Sequence, residues 1–256
     1  ISHKLEEIRV LTSRATVLRR GRNVGTVDTK QNNSRQLAEL MVGRKVSDVK
    51  RQSAPAKSDA ICVVKNLRRP KPTAFAVSLK DISFSANAGE ILAIAGIAGN
   101  GQDEIMAALS GEWRPPSSGV ILLDGQDISQ MGPAARRRVG LGVVPEERNG
   151  HAAIPSMSLS ENALLTNHSL GEIVRHGLVD KNATKLIAED VIKTFDVRTP
   201  TNDPMAASLS GGNLQKFVVG REITKSPRLL VVAQPTWGVD VGAAVSIRKS
   251  ILDLAR

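Results

Sequence analysis

Apolar and polar positions follow two rhythms along the chain. Short apolar runs bounded by turn residues predict strands at 61–66, 82–86, 91–95, 120–123 and 229–233. Between them, apolar residues at helical spacing predict helices at 103–110, 133–139, 160–165, 181–195 and 214–224. This alternation argues for an α/β sheet domain beginning at residue 61, with the helix-rich middle, roughly 146–225, as an inserted subdomain. Ahead of it, 14–29 reads as a hairpin: 15–18 is apolar, Arg20-Gly21-Arg22 turns, and 23–27 returns. Ser34 is expected to cap a short helix running to Val42, with Leu37, Leu40 and Met41 on one face. Residues 47–60 are polar, contain Pro55, and read as a linker. No internal repeat is visible.

Composition narrows this picture. The 256 residues, 41% of them hydrophobic, suit one large domain, or one domain plus a piece of another. The longest apolar runs, 91–98 and 229–233, fall far short of the ~20 residues that a spanning helix needs. The opening residues show no secretory pattern. The single Cys62 has no partner for an internal disulfide and lies in an apolar run, so a packing role in a reducing cytoplasm is expected. The sequence opens on Ile1 and stops at Arg256 within an apparent helix, which leads to the expectation of a piece of a longer protein.

The net charge of +10 is uneven. Residues 1–80 carry 18 Lys and Arg against 6 Asp and Glu, whereas 81–256 carry 17 against 19. Such a basic stretch suits nucleic acid or anionic lipid, and equally a solvated surface and linker. With no Tyr and 2% aromatics, base-stacking platforms are not expected.

Two runs point to phosphate chemistry. In 91–103, an apolar strand, a Gly-rich turn and a helix start follow one another, and Gly96 and Gly101 have the spacing of a phosphate-binding loop that also includes Gly99 and Asn100. Glycines let backbone wrap a phosphate, and the helix N-terminus offers N–H groups. Gln102 stands where Lys reaches the β- and γ-phosphates, and Asp103 where Ser or Thr ligates Mg²⁺. The same spacing also suits a tight turn with no ligand. The second apolar run, 229–233, ends at Gln234-Pro235-Thr236; ATPases of this class end such a strand in Asp-Glu, which order magnesium and polarise the attacking water. Ala233 and Gln234 supply no negative charge, and Gln is no general base. Two losses in one site point to a degenerate site.

Leu209-Ser210-Gly211-Gly212-Asn213-Leu214-Gln215-Lys216 differs, since Ser-Gly-Gly at a helix start offers N–H groups and a hydroxyl to a γ-phosphate. About 20 residues later comes an apolar strand with Pro-Thr-X-Gly-X-Asp, and the combination is specific.

On these residues the chain resembles the tandem ATP-binding subunit of bacterial ABC importers for simple sugars and nucleosides. Gly-Asn-Gly-Gln at 99–102, Val-Pro-Glu-Glu-Arg at 144–148, Leu-Ser-Gly-Gly-Asn at 209–213 and Ala-Gln-Pro-Thr at 233–236 look most like the nucleoside branch. The resemblance implies a phosphate-loop NTPase fold of ABC type. It makes 1–46 the end of a first ATPase domain, 47–60 a linker and 61–256 most of a second. His3 matches the first domain's switch histidine, and 41–44 its closing helix. Glu146 falls where Gln usually links nucleotide to the membrane partner. Asp240 matches the loop that crosses to the opposite domain, while Trp237 departs from an expected Arg. Phe75 is the one nearby aromatic for adenine, and reads better as a core or surface residue. His151, His168 and His176 match nothing and read as surface residues.

In such proteins two ATPase domains dimerise head to tail. The resemblance therefore implies that Ser210, Gly211 and Gly212, with His3, complete a competent site on an upstream domain of the same polypeptide. The Gln102/Asp103 loop would form an impaired one. ATP and Mg²⁺ are implied, mainly at the competent site, and no residue here is assigned as a metal ligand. Implied partners are integral membrane permease subunits and, indirectly, a periplasmic or lipid-anchored solute-binding protein, at the cytoplasmic face of the membrane. No nucleic acid is expected, although a soluble ABC ATPase acting on nucleic acid or ribosomes is the alternative.

Overall fold

The computed structural model describes all residues except 1, 3, 20, 44, 46–58, 72, 75, 171 and 172. The calls on His3 and Phe75, and nearly all of the 47–60 linker, lie outside the described residues.

Helix α1 (Leu5–Leu11) precedes the expected hairpin, β1 (Arg14–Arg19) and β2 (Arg22–Asp28), whose strands pair antiparallel. Helix α2 (Ser34–Val42) follows, but Ser34 is not its cap. Asn33 accepts the Gln36 N–H at 2.9 Å, and the Gln36 side chain accepts the Asn33 N–H at 2.8 Å, a reciprocal cap that only these side chains complete. Ser34 is the first helical residue, and its hydroxyl turns to Glu6 instead. Leu37 and Ala38 are the buried residues of α2.

Strands β3 (Ala60–Arg69), β4 (Leu79–Asn87), β5 (Ile121–Leu123) and β6 (Gln126–Asp127) form an antiparallel sheet in the order β4-β3-β5-β6. Helix α3 (Gln102–Ser110) and α4 (Pro133–Arg138) lie between and after these strands in sequence. Cys62 is buried in this layer, and burial pushes its thiol up to about 11, in keeping with a packing role.

Strand β7 (Leu141–Val144) pairs in parallel with β10 (Leu229–Val232), Val144 opposite Val232. Side chains alternate across a strand, and this pair uses both faces. Leu141, Val143, Leu229 and Val231 join the core beneath the antiparallel sheet. Val144, Leu230 and Val232 join a second core made by α5 (Leu159–Asn167), α6 (Lys181–Thr194), α7 (Gly211–Ile223) and α8 (Val241–Leu254). The small hairpin β8 (Val174–Arg175) and β9 (Leu178–Val179) interrupts the helical stretch between α5 and α6. Among the described residues no helix is long and apolar enough to cross a membrane.

One predicted strand is corrected. Residues 91–96 run without strand pairing, and Ile91, Leu92 and Ile94 are 38, 41 and 48% exposed. An apolar run specifies burial, whereas a strand also requires a neighbouring backbone to bond. Among the described residues this run joins no ladder: β10 bonds only β7.

Candidate functional site

The carboxyl ends of β7 and β10, the 96–101 turn and the start of α3 enclose a cleft of about 510 Å³. Open α/β sheets bind ligands at such strand ends. Gly96, Gly99, Gln102 and Asp103 line it, together with Glu146, Ala233 and Gln234. Three separate stretches of sequence thus converge, as the spacing argument implies. Ile94, Ile105, Met106, Leu109, Val231 and Val232 make the rest of the wall largely apolar. Asn100 and Gly101 shape the turn without lining the cleft. Gly101 caps α3 with φ +111°, a left-handed conformation that favours glycine, and no side chain caps that helix end.

Gln102 folds back over the turn. Its Oε1 accepts the Asn100 N–H at 3.0 Å and its Nε2 donates to the Ile97 carbonyl at 2.9 Å. Across the cleft, Gln234 Nε2 donates to Glu146 Oε1 at 3.2 Å. Gln234 takes φ +42° at the end of β10, which aims its side chain away from the strand's continuation. Asp103 and Glu146 are acidic, and no Lys, Arg or His is among the lining residues.

The Ser-Gly-Gly run lies elsewhere. Ser210 caps α7, its Oγ accepting from the Asn213 N–H at 3.4 Å and from Asn213 Nδ2 at 3.0 Å. Leu209 packs on the helical core and Gln215 is buried, while Ser210 and Gly211 are exposed. Asp240 caps α8, accepting the Ala243 N–H at 2.9 Å, and its carboxylate lies against Gly212. None of Leu209, Ser210, Gly211, Gly212, Asn213, Gln215 or Asp240 lines the phosphate-loop cleft. Leu209, Gly211 and Leu214 instead border a second hollow with Arg148, Trp237 and Gly238, and Glu146 lines both.

Arg148, the last residue of the Val-Pro-Glu-Glu-Arg run, has a role that the motif alone does not give. Its guanidinium donates to the Trp237 carbonyl at 3.1 Å and the Gly238 carbonyl at 3.4 Å. A Cβ at Gly211 or at Gly238 would fall 2.7 Å from it, and Gly238 has φ +61°. The segments leaving β7 and β10 are therefore braced twice, by Glu146–Gln234 at the cleft and by Arg148 beside the signature run. The 144–148 motif marks the residue, but its spacing does not say which carbonyls the guanidinium reaches. His151 pairs with Glu112 at 2.9 Å, and it, His168 and His176 are exposed, as expected of surface residues.

Beneath these loops α7 carries a buried charge cluster. Glu222 meets Arg137, Arg221 (3.1 Å) and Lys225 (3.2 Å). Arg221 also donates to the carbonyls of Asn162 and Ala152 at 2.9 and 2.8 Å, which ties α7 to α5 and to the loop after β7.

A Gly-rich turn opening a helix at parallel strand ends, beside a separately placed Ser-Gly-Gly helix start, defines an α/β nucleotide-binding protein of the phosphate-loop class. The family model described as ABC transporter matches residues 79–237, and the chain belongs to that family, whose members hydrolyse ATP. It is homologous to ATP-binding proteins for sugar and nucleoside import. It is 38% identical to the nucleoside import ATP-binding protein NupA of Lactococcus lactis subsp. cremoris, a match covering 98% of the chain and 49% of that relative. The guanosine import ATP-binding protein NupO of Bacillus subtilis is 37% identical, over 95% of the chain and 47% of the relative. The chain thus spans about half the length of the curated relatives it matches. Among solved structures, the ATP-binding cassette MJ0796 bound to ADP and Pi aligns with a TM-score of 0.63 over 76% of this chain and 83% of that one, at 20% identity. The ADP form of the cassette MJ1267 aligns at 0.60, over 77% and 78%, also at 20%. These likenesses bear on the fold, which is that of an ABC cassette.

Proposed function

We propose that this chain is part of a tandem ATP-binding subunit of an importer for a sugar or nucleoside, in which its own cleft binds nucleotide and hydrolyses it slowly or not at all. Residues 61–256 act as the second ATPase domain, 1–46 as the end of the first, and 47–60 as the link between them. The observation that carries this reading is the composition of the 510 Å³ cleft: Ala233 and Gln234 stand at the β10 end, where an acidic pair would order the metal and activate water. Glu146 approaches from the β7 side, but it is held by Gln234.

The Leu209–Gln215 run, exposed at Ser210 and Gly211 and outside the lining of that cleft, serves a nucleotide held by another domain. His3 and Asp240 belong to the same composite site. ATP with Mg²⁺ is the ligand, acted on mainly at that site. Closure of the two domains on ATP drives permease subunits docked near 146–165 at the cytoplasmic face of the membrane. A solute-binding protein delivers the solute from the other side. Similarity to nucleoside, guanosine, glucose and ribose import proteins supports the importer reading over an ATPase acting on nucleic acid.

The test is restoration of the acidic pair. Ala233→Asp combined with Gln234→Glu, made in the tandem subunit, is expected to add turnover at this site. Unchanged turnover, with the unmodified site already hydrolysing, would overturn the proposal. Co-purification with integral membrane subunits tests the importer assignment separately.

A further inference from the structure

Gln102 folds over the 97–100 turn and bonds its backbone with both ends of its carboxamide. In a phosphate-binding loop the backbone N–H groups of the turn are the ligands. Here the Asn100 N–H is already donated to Gln102 Oε1, at 3.0 Å. The other end, Nε2, is 2.9 Å from the Ile97 carbonyl, which also accepts from Asn100 Nδ2 at 2.9 Å. The carboxamide lies close over the first glycine of the loop, since a Cβ on Gly96 would come within 2.7 Å of Nε2. A lysine can only donate, so it could hold the Ile97 carbonyl but never the Asn100 N–H. Glutamine, with a donor and an acceptor 1 residue past the turn, closes it on itself.

Resting on the nucleotide-binding reading above, we infer that Gln102 is the specificity-determining residue of this cleft: it latches the 97–100 turn shut by capturing the Asn100 N–H, so that a phosphate enters only by displacing it. Two further features set what can displace it. The lining offers carboxylates at Asp103 and Glu146 and no cationic side chain, so a bare polyphosphate meets like charge. The N-terminus of α3, free of any side-chain cap, offers a fixed attraction for an anion. The ligand class is therefore a nucleotide whose phosphate charge is neutralised by Mg²⁺, with little gain from a third phosphate. The latch also accounts for the glutamine being more than a lost lysine: it completes the hydrogen bonding of an exposed turn that would otherwise be left to water.

The test compares the unmodified chain with Gln102→Ala by amide hydrogen exchange without nucleotide, and by titration with ADP and ATP, each with and without Mg²⁺. The Asn100 amide is expected to exchange roughly five- to tenfold faster in Gln102→Ala, as loss of one hydrogen bond implies. The variant is expected to bind Mg²⁺–ADP several-fold more tightly than the unmodified chain, with Mg²⁺–ATP no better than Mg²⁺–ADP in either. Equal exchange of Asn100 in the two proteins would overturn the latch whatever binds. Weaker nucleotide binding by the variant would also overturn it, because Gln102 would then be a ligand of the phosphate. If neither protein binds nucleotide while the exchange difference is present, the latch stands and the nucleotide reading of the cleft fails.

Discussion

Arg148 reaches from the end of β7 to two carbonyls after β10 while its guanidinium fills the space that side chains at Gly211 and Gly238 would need. Removing it frees both carbonyls to water and unties the signature run from the loop that carries Gln234. Arg148→Ala is expected to cost about 1 kcal/mol, since these bonds lie near solvent, and to speed amide exchange over 234–240. Unchanged exchange in that segment would contradict the brace. At this scale identities were legible: Gln102, Asp103, Ala233 and Gln234 stand in the cleft lining where the sequence put them. Direction was not. Neither the fold-back of Gln102 nor the reach of Arg148 follows from spacing, because both depend on backbone carbonyls brought close by distant strands.

The element that organises the molecule is α7. Its first turn is the signature run, capped by Ser210, and its last turn holds Arg221 and Glu222, both essentially excluded from solvent. Burial raises the Glu222 pKa, but Arg221, Lys225 and Arg137 outweigh it and hold the carboxyl near 2. That value is below the ordinary 4.5, so the ion cluster's contribution through Glu222 is complete above pH 4.5 and fades as pH falls toward 2. Lys225 behaves oppositely: burial, first among its causes, pushes its amine down to about 7 from 10.5. The unfolded chain then holds the extra proton between those values, and stability from this group rises with pH across that window. Urea midpoints should show both trends, and Lys225→Met should flatten the alkaline one. Glu222→Gln, which strands buried cations, is expected to cost about 3–5 kcal/mol; a loss well under 1 kcal/mol would show that the cluster does not hold α7.

Elements of strong periodicity, such as α6 and β3, were legible within a few residues. Strand β7 was not anticipated: Leu141-Gly142-Val143-Val144 is broken by a glycine and lacks the unbroken apolar run that marks β10. The 91–95 strand was anticipated wrongly because hydrophobicity cannot report whether a bonding partner lies alongside.

At the scale of the whole molecule, the parallel pair β7–β10 separates two cores, and each core presents one piece of phosphate chemistry. The ends of β7 and β10 with α3 carry the latched cleft, while α7 of the helical core carries Ser210 at its start. The signature run does not line the cleft, so on the proposed reading it serves a nucleotide held by another domain. In a subunit with both ATPase domains, Ser210→Ala is therefore expected to depress turnover at the partner domain's nucleotide while costing this domain only about 1 kcal/mol as a lost helix cap. Normal turnover in that variant would remove the composite-site argument. The α/β class and the division between sheet and helices were readable from alternation alone. The two-faced use of β7 and β10 was not, since it depends on which layer each alternating residue meets.

The central claim is that this domain's cleft holds nucleotide without turning it over. The direct measurement is to saturate the 256-residue chain with radiolabelled Mg²⁺–ATP, isolate the bound fraction and identify it. The account predicts saturable binding with the nucleotide recovered as ATP. Recovery as ADP with continued turnover, or no binding at any accessible concentration, would contradict it.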